Sequence, residues 1–136
     1  MTPTNTVQEN SIVRAFLWVS LGAICGANLR YFIGRWSARV LGATFPFGTL
    51  VINVSGSFLL ALFMVWTTER VLADPKWRLL FAIGFCGAYT TFSSYAFETM
   101  SFFEQGNWGL LAWNVVSNNL LSLAAVLAGA AVARAL

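Results

Sequence analysis

Three polar side chains, Thr49, Asn53 and Ser57, recur at intervals of four residues, and a second set, Asn114, Asn118 and Ser122, repeats that spacing nearer the C-terminus beside Ser117 and Asn119. A four-residue interval places side chains on one face of a helix. Hydroxyls and amides donate and accept hydrogen bonds without carrying charge, so such faces can solvate an ion without trapping it. Taken singly, each residue is accounted for as glue between helices. The two stripes together favour a polar pathway.

A third segment reads Gly84-Phe85-Cys86-Gly87-Ala88-Tyr89-Thr90-Thr91-Phe92-Ser93-Ser94-Tyr95. Paired glycines with β-branched and hydroxyl residues weaken a helix, which predicts a break here. Unwound backbone frees carbonyl oxygens that can hold a cation. Phe92 and Tyr95 stand three apart on one face beside Ser93 and Ser94. Electropositive ring edges help a small anion shed water, although ordinary aromatic packing is the preferred account of these rings from the sequence alone.

Covalent catalysis has no comparable support. The five acids, Glu9, Glu69, Asp74, Glu98 and Glu104, fall in the tail, in loops or near the ends of apolar runs, and the chain has no histidine. No carboxylate pair, Ser-His arrangement or phosphate loop can be assembled from them. Cys25 and Cys86 lie in different runs and match neither a zinc spacing nor a CxxC motif, so they read as small packing residues.

The elements that must position the stripes follow from composition. Of 136 residues, 58% are hydrophobic and 10% charged, and mean hydropathy is +0.71, whereas about a quarter of an average soluble domain is charged. A soluble domain this small has too much surface to hide that apolar content. Four apolar runs extend from about Ala15 to Ile33, Gly48 to Thr68, Leu79 to Phe103 and Trp108 to Val132. Each reaches the roughly 20 helical residues needed to cross a bilayer. The expected architecture is an all-α membrane protein of four transmembrane helices, the third broken at mid-membrane, over residues 12–136. Residues 1–11 read as a flexible polar tail. A lipoprotein signal ending at Cys25 fits poorly, because Ile24 occupies the position that wants a small residue and the flank before Arg14 is not basic.

Four spans put both termini on one side. The tail, second loop and C-terminus then share Arg14, Arg70, Lys76, Arg78 and Arg134, while the first and third loops share Arg30, Arg35 and Arg39. Orientation follows Lys/Arg asymmetry. So even a balance fits insertion both ways up as well as a single orientation with the more basic side inside.

The segments Gly48-Thr49-Leu50-Val51-Ile52-Asn53-Val54-Ser55-Gly56-Ser57-Phe58 and Gly87-Ala88-Tyr89-Thr90-Thr91-Phe92-Ser93-Ser94-Tyr95, followed by Glu98, closely resemble the signatures of the Fluc fluoride channels, also called CrcB proteins. Gly26-Ala27-Asn28-Leu29-Arg30 in the first run, and Asn114, Asn118, Ser122 and Gly129 in the fourth, resemble the same family, so the likeness spans about Val19 to Gly129. The resemblance implies a passive fluoride-selective channel that exports fluoride from the cytoplasm. It also implies a multi-pass protein of the cell (inner or plasma) membrane, built as a dual-topology homodimer of antiparallel copies with two pores and a structural sodium ion at the central interface. By position in the family pattern, the backbone carbonyls of Gly87 and Thr90 would hold sodium. Asn53 would offer amide donors, Phe92 a ring edge, and Ser122 and Thr49 hydroxyls, with Asn114, Asn118 and Ser94 along the pore. Arg30 and Glu98 are candidates for anion access or modulation. Tyr95 departs from the family, which usually has phenylalanine there, and adds a hydroxyl that can donate to the anion or block its exit. Expected partners are fluoride, the lipid bilayer and a second copy, with no nucleic acid.

The implied physics is coherent. Fluoride enters an acidified cell as neutral hydrogen fluoride, dissociates inside and cannot leave through lipid. A negative interior then drives the anion out at about 2.3 kcal/mol per charge per 100 mV. Two other classes share the four-span outline. A small dual-topology proton-coupled multidrug exporter needs an acid deep in a span, and no carboxylate lies between Ala15 and Ile33. A non-transporting membrane assembly protein would use the polar stripes only as glue.

Overall fold

The computed structural model describes residues 3–71 and 73–136, and the side chains of residues 3–10 and of Arg70 lie outside that description. Every described element is helical. Helix α1 is Pro3–Leu41, and α2 is Phe47–Val65, extended by a π-helical turn at Trp66–Arg70. Helix α3 joins Pro75–Trp77, the π-helical stretch Arg78–Cys86 and Gly87–Tyr89 end to end. Helices α4, Phe92–Glu104, and α5, Trp108–Ala135, complete the chain. Among the described residues, four stretches are long and apolar enough to cross a membrane: Ser11–Leu41, Phe47–Glu69, Pro75–Glu104 and Trp108–Ala135.

The boundaries have local causes. Gly42, at φ +85°, ends α1 in the left-handed conformation that glycine adopts without penalty. Pro75 opens α3 at a position where its missing N–H costs nothing. Asp74 caps that helix by accepting from the Lys76 backbone N–H at 3.0 Å. This bond, then the Lys76 side chain, holds the exposed Asp74 carboxyl below its ordinary range. Gly106, at φ +67°, turns the chain out of α4, and Asn107 Oδ1 caps α5 by accepting from Leu110 N at 3.2 Å.

Three of the four expected runs match the helices closely; the first is longer than its apolar core. Helix α1 continues past Ile33 through Arg35, Trp36 and Arg39, because charge ends an apolar run but only a breaker such as Gly42 ends a helix. Arg35 and Arg39 therefore stand on α1, not in the first loop as the run boundaries suggested, and Arg30, grouped with that loop in the charge balance, also stands on α1. At the other end, α1 begins at Pro3, inside the segment read as a polar tail. Met1 and Thr2 of that tail lie outside the described residues.

Two helix pairs form the body, α1 against α3 and α2 against α5, with α4 leaning on α5. Glycine sets the closeness of both. A Cβ on Gly22 would strike the Leu80 carbonyl, and one on Gly26 would strike the Phe85 carbonyl. A Cβ on Gly129 would strike the Phe58 carbonyl of α2. Small residues that let backbones touch are what hold helices together where lipid removes the hydrophobic drive. Along α3, the rings of Phe81, Phe85 and Tyr89 stack at 5.2 and 5.5 Å. This column ends where Tyr89 Oη meets Ser55 Oγ of α2 at 2.8 Å.

Burial is inverted relative to a soluble protein. Ser37, Thr49, Thr91, Asn114, Ser117 and Asn118 are buried, while Phe16, Leu17, Phe97, Leu123 and Leu127 face outward. An outer surface of this kind is stable only against lipid or protein. The described spans make this a multi-pass membrane protein.

Candidate functional site

Between α3 and α4 the backbone leaves the helix for two residues. Thr90 has φ −76° and ψ 159°, and Thr91 has φ −151° and ψ 112°. Asn53 of α2 clamps this interruption from the side. Its Oδ1 accepts from Thr91 N at 2.9 Å, and its Nδ2 donates to Thr91 O at 3.2 Å. Only one orientation of the amide serves both groups, so the hydrogen-bond pattern fixes which atom is oxygen. Gly56, one turn further along α2, makes room, since a Cβ there would strike Thr90 Cγ2 and lie 3.1 Å from the Tyr89 ring.

The clamp changes which carbonyls are committed. In an unbroken helix the Gly87 carbonyl would accept from Thr91 N–H, but that N–H goes to Asn53. The Thr90 carbonyl would likewise accept from Ser94 N–H, which instead goes to Thr91 Oγ1 at 3.1 Å, capping α4. Gly87 itself is exposed and has ordinary helical angles, φ −63° and ψ −34°. A Cβ there meets only the Ala82 carbonyl at 3.9 Å. Glycine is therefore not required at this position by its own backbone geometry.

From the clamp, a chain of amides runs through the protein. Asn53 Nδ2 also donates to Asn118 Oδ1 at 3.1 Å. Asn118 Nδ2 donates to Asn114 Oδ1 at 2.8 Å and to the Asn114 carbonyl at 3.2 Å. Asn114 Nδ2 donates to Thr99 Oγ1 at 2.9 Å, and Thr99 passes its hydrogen to the Tyr95 carbonyl at 2.8 Å. Both hydrogens of Asn53 and both of Asn118 are thus spent on protein oxygens. These amides hold α2, α4 and α5 in register.

Beside the clamp is a cavity of about 350 Å³ lined by Asn53, Ser57, Thr91, Phe92, Tyr95, Asn118, Asn119 and Ser122, with Leu60, Leu123 and Val126 on its apolar wall. Among the described residues, no Asp, Glu, Lys or Arg lines it. Ser122 Oγ is buried with no hydrogen-bond partner. Tyr95 Oη accepts from Asn119 Nδ2 at 3.1 Å, which leaves its own hydrogen to donate elsewhere. The Phe92 and Tyr95 rings meet edge to face, with centroids 5.4 Å apart. Phe92 is 77% exposed, so the cavity opens at the surface of the single chain.

Of the residues singled out from the sequence, Asn53, Thr90, Phe92, Tyr95, Asn118 and Ser122 meet in this cavity. Asn114 lies behind its wall in the amide chain, and Ser94 belongs to the α4 cap. Thr49 and Glu98 form a separate station nearer the start of α2. Thr49 donates to Glu98 Oε1 at 2.6 Å, while Glu98 Oε2 is buried without a partner. A cavity of about 220 Å³ adjoins the pair. Arg30, half-buried on α1, lines neither cavity.

Two contributions are not given by residue type and spacing alone. Thr91 acts through its backbone, which no side-chain pattern reports, and Asn119 reaches Tyr95 from outside the four-residue stripe. Among the described residues, no cluster of three or more His, Cys, Asp or Glu could hold a metal ion. Any cation held here would rest on neutral oxygens, from the backbone or from hydroxyl and amide side chains.

Known proteins bear directly on this arrangement. The family model described as CrcB-like protein, Camphor Resistance (CrcB), matches residues 17–130. A protein of Koribacter versatilis (strain Ellin345), named fluoride-specific ion channel FluC, is 64% identical over 124 residues, covering 91% of this chain and 98% of the relative. A protein of the same name from Sulfurihydrogenibium sp. (strain YO3AOP1) is 43% identical over 121 residues, covering 89% and 98%. Another, from Legionella pneumophila (strain Lens), is 41% identical over 123 residues, covering 90% and 92%.

Proposed function

This chain belongs to the CrcB-like family, and from that premise we propose that it is a passive fluoride channel of the cell membrane, carrying the activity for which its relatives are named. The observation that carries the reading is the neutral cavity beside the Asn53 clamp, where Ser122, Tyr95 and Phe92 line one space with no charged residue among the described lining, and where the Ser122 hydroxyl has no partner. A dehydrating anion needs donors strong enough to replace water but weak enough to release it. Ser122 and Tyr95 supply such donors, and Phe92 supplies a positive ring edge. Thr49, with Glu98, stands further along the same path. Asn53, Asn118 and Asn114 set the spacing of these groups by holding the helices together. No covalent chemistry is involved.

The functional unit is an antiparallel homodimer with a pore on each side. The nearly even Lys/Arg distribution supports insertion in both orientations, and the outward Phe92 and exposed Gly87 are surfaces that a second copy would cover. A sodium ion at the interface fits the Gly87 and Thr90 carbonyls, whose helical partners are diverted to Asn53 and Thr91. Hard cations take oxygen ligands of this kind. When bound, the ion supplies positive potential near the anion path. It is structural, and fluoride moves without it.

The test is efflux from liposomes containing the purified chain, read with a fluoride electrode. Prompt fluoride loss with chloride retained is expected. Proton-driven exchange of organic cations would replace this reading with an exporter, and absence of any flux would leave an assembly protein.

A further inference from the structure

At the end of the molecule away from the Thr49–Glu98 station, the first turns of the α1 span and of α3 enclose a cavity of about 910 Å³. That volume falls within the roughly 300–1,000 Å³ range of ligand clefts. Its rim is polar and its depth apolar. Arg14 and Lys76 stand on opposite helices, and Trp18, Leu21 and Leu79 continue the walls along the spans. The Trp18 and Trp77 rings lie 6.4 Å apart, with Lys76 Nζ 5.8 Å from the Trp77 ring centre. Asp74 also lines the cavity, but its Oδ2 is held by Lys76 Nζ at 3.0 Å. Arg14 makes no ion pair among the described residues. Among the described lining residues, one net positive charge is left.

Each feature has a reading at a membrane surface. The cavity lies where the spans Ser11–Leu41 and Pro75–Glu104 begin, which is headgroup depth for helices of this length. Tryptophans concentrate at that depth, and basic pockets between transmembrane helices take anionic headgroups. We propose that this groove binds an anionic phospholipid, with the Arg14 fork on the headgroup phosphate and Lys76 beside it. Trp18 packs against the glycerol region, and Leu21 and Leu79 lie along the first acyl methylenes. Free phosphate would satisfy the cations but leave the leucine walls uncovered. A zwitterionic choline lipid would bring a cation to a rim that is already positive. The proposal is independent of what the protein conducts, because it uses no residue of the neutral cavity.

The experiment is thermal unfolding of the purified full-length chain in detergent, with phosphatidylglycerol, phosphatidylcholine or inorganic phosphate added. Phosphatidylglycerol should raise Tm by roughly 4 °C or more above phosphatidylcholine, and inorganic phosphate should not reproduce the rise. The double variant Arg14→Gln, Lys76→Gln should lose the difference between the lipids, while Arg39→Gln, at the far end of α1, should keep it. Equal shifts from both lipids, a shift reproduced by phosphate, or an undiminished difference in the double variant would overturn the site. If the double variant does not fold, native mass spectrometry of the wild-type chain decides. Preferential retention of phosphatidylglycerol supports the groove, and equal retention of the two lipids overturns it.

Discussion

The amide chain, in which Asn53 and Asn118 line the cavity and Asn114 lies behind it, and the Ser122 and Tyr95 hydroxyls of the same lining are similar neutral groups, yet they do opposite things. Asn53, Asn118 and Asn114 lie in a low-dielectric interior and answer one another, so that every hydrogen of Asn53 and Asn118 already has an oxygen. Ser122 and Tyr95 line the same cavity with donor capacity unspent. A polar residue in a membrane helix is therefore not a ligand by virtue of being there. Its saturation decides, because a satisfied donor can engage an ion only by abandoning a bond worth about 0.5–1.5 kcal/mol net, and more when the group left behind is buried.

The most severe way to break this contrast is Asn53→Asp. The new carboxylate would still accept from Thr91 N, but it would face the Thr91 carbonyl and Asn118 Oδ1 with no hydrogen to offer. Two lost bonds at about 1–3 kcal/mol each should lower both thermal stability and fluoride flux, the flux by at least about 100-fold. Wild-type flux and Tm in a monodisperse preparation would show that the clamp is unnecessary.

Replacing sodium on both sides of the membrane with a large organic cation probes the other product of the clamp, the two released carbonyls. If the proposed interfacial sodium binds there, most of the fluoride flux and part of the stability of the proposed dimer should be lost, with no labelled sodium accompanying fluoride. Unchanged flux and unchanged dissociation under rigorous sodium depletion would reduce the interruption to packing.

Ser122→Ala sharpens the contrast in the opposite direction. It removes a hydroxyl that holds nothing in the protein, so stability should move by less than about 0.5 kcal/mol. Flux should nevertheless fall roughly tenfold, the equivalent of one hydrogen bond to the passing ion. A large stability loss with intact flux would reverse the roles assigned to wall and scaffold. Tyr95→Phe should have the smallest effect of the series, since the ring edge remains and only one donor is lost. An increase in flux, read in the same electrode assay, would mark that hydroxyl as an obstruction.

Much of this was legible in the sequence. Four-residue spacing placed Asn53 and Ser57, and Asn118 and Ser122, on shared faces, because helical period alone determines which side chains neighbour each other. Gly87 to Thr91 reads as a weak helix in the sequence, and Thr90 and Thr91 take extended backbone angles. Pairing between helices was not legible. Whether Asn53 meets Asn118 or an ion depends on register, which Gly56 and Gly129 set by how closely they let α2 approach its neighbours. The length of α1 was also hidden, since Arg35 and Arg39 end an apolar run without ending a helix. Thr91 has poor helix propensity, but its backbone role appears only once Asn53 stands opposite it.

The central claim, that neutral donors in this cavity pass fluoride down its gradient, is tested most directly by electrical recording from the purified chain in a planar bilayer. Fluoride is set tenfold higher on one side, and chloride and pH are equal on both. The account predicts a current that reverses at the fluoride equilibrium potential and keeps that reversal potential when a chloride or proton gradient is imposed. A reversal potential that follows chloride or protons, or the absence of fluoride current from protein that is folded and correctly inserted, would contradict it.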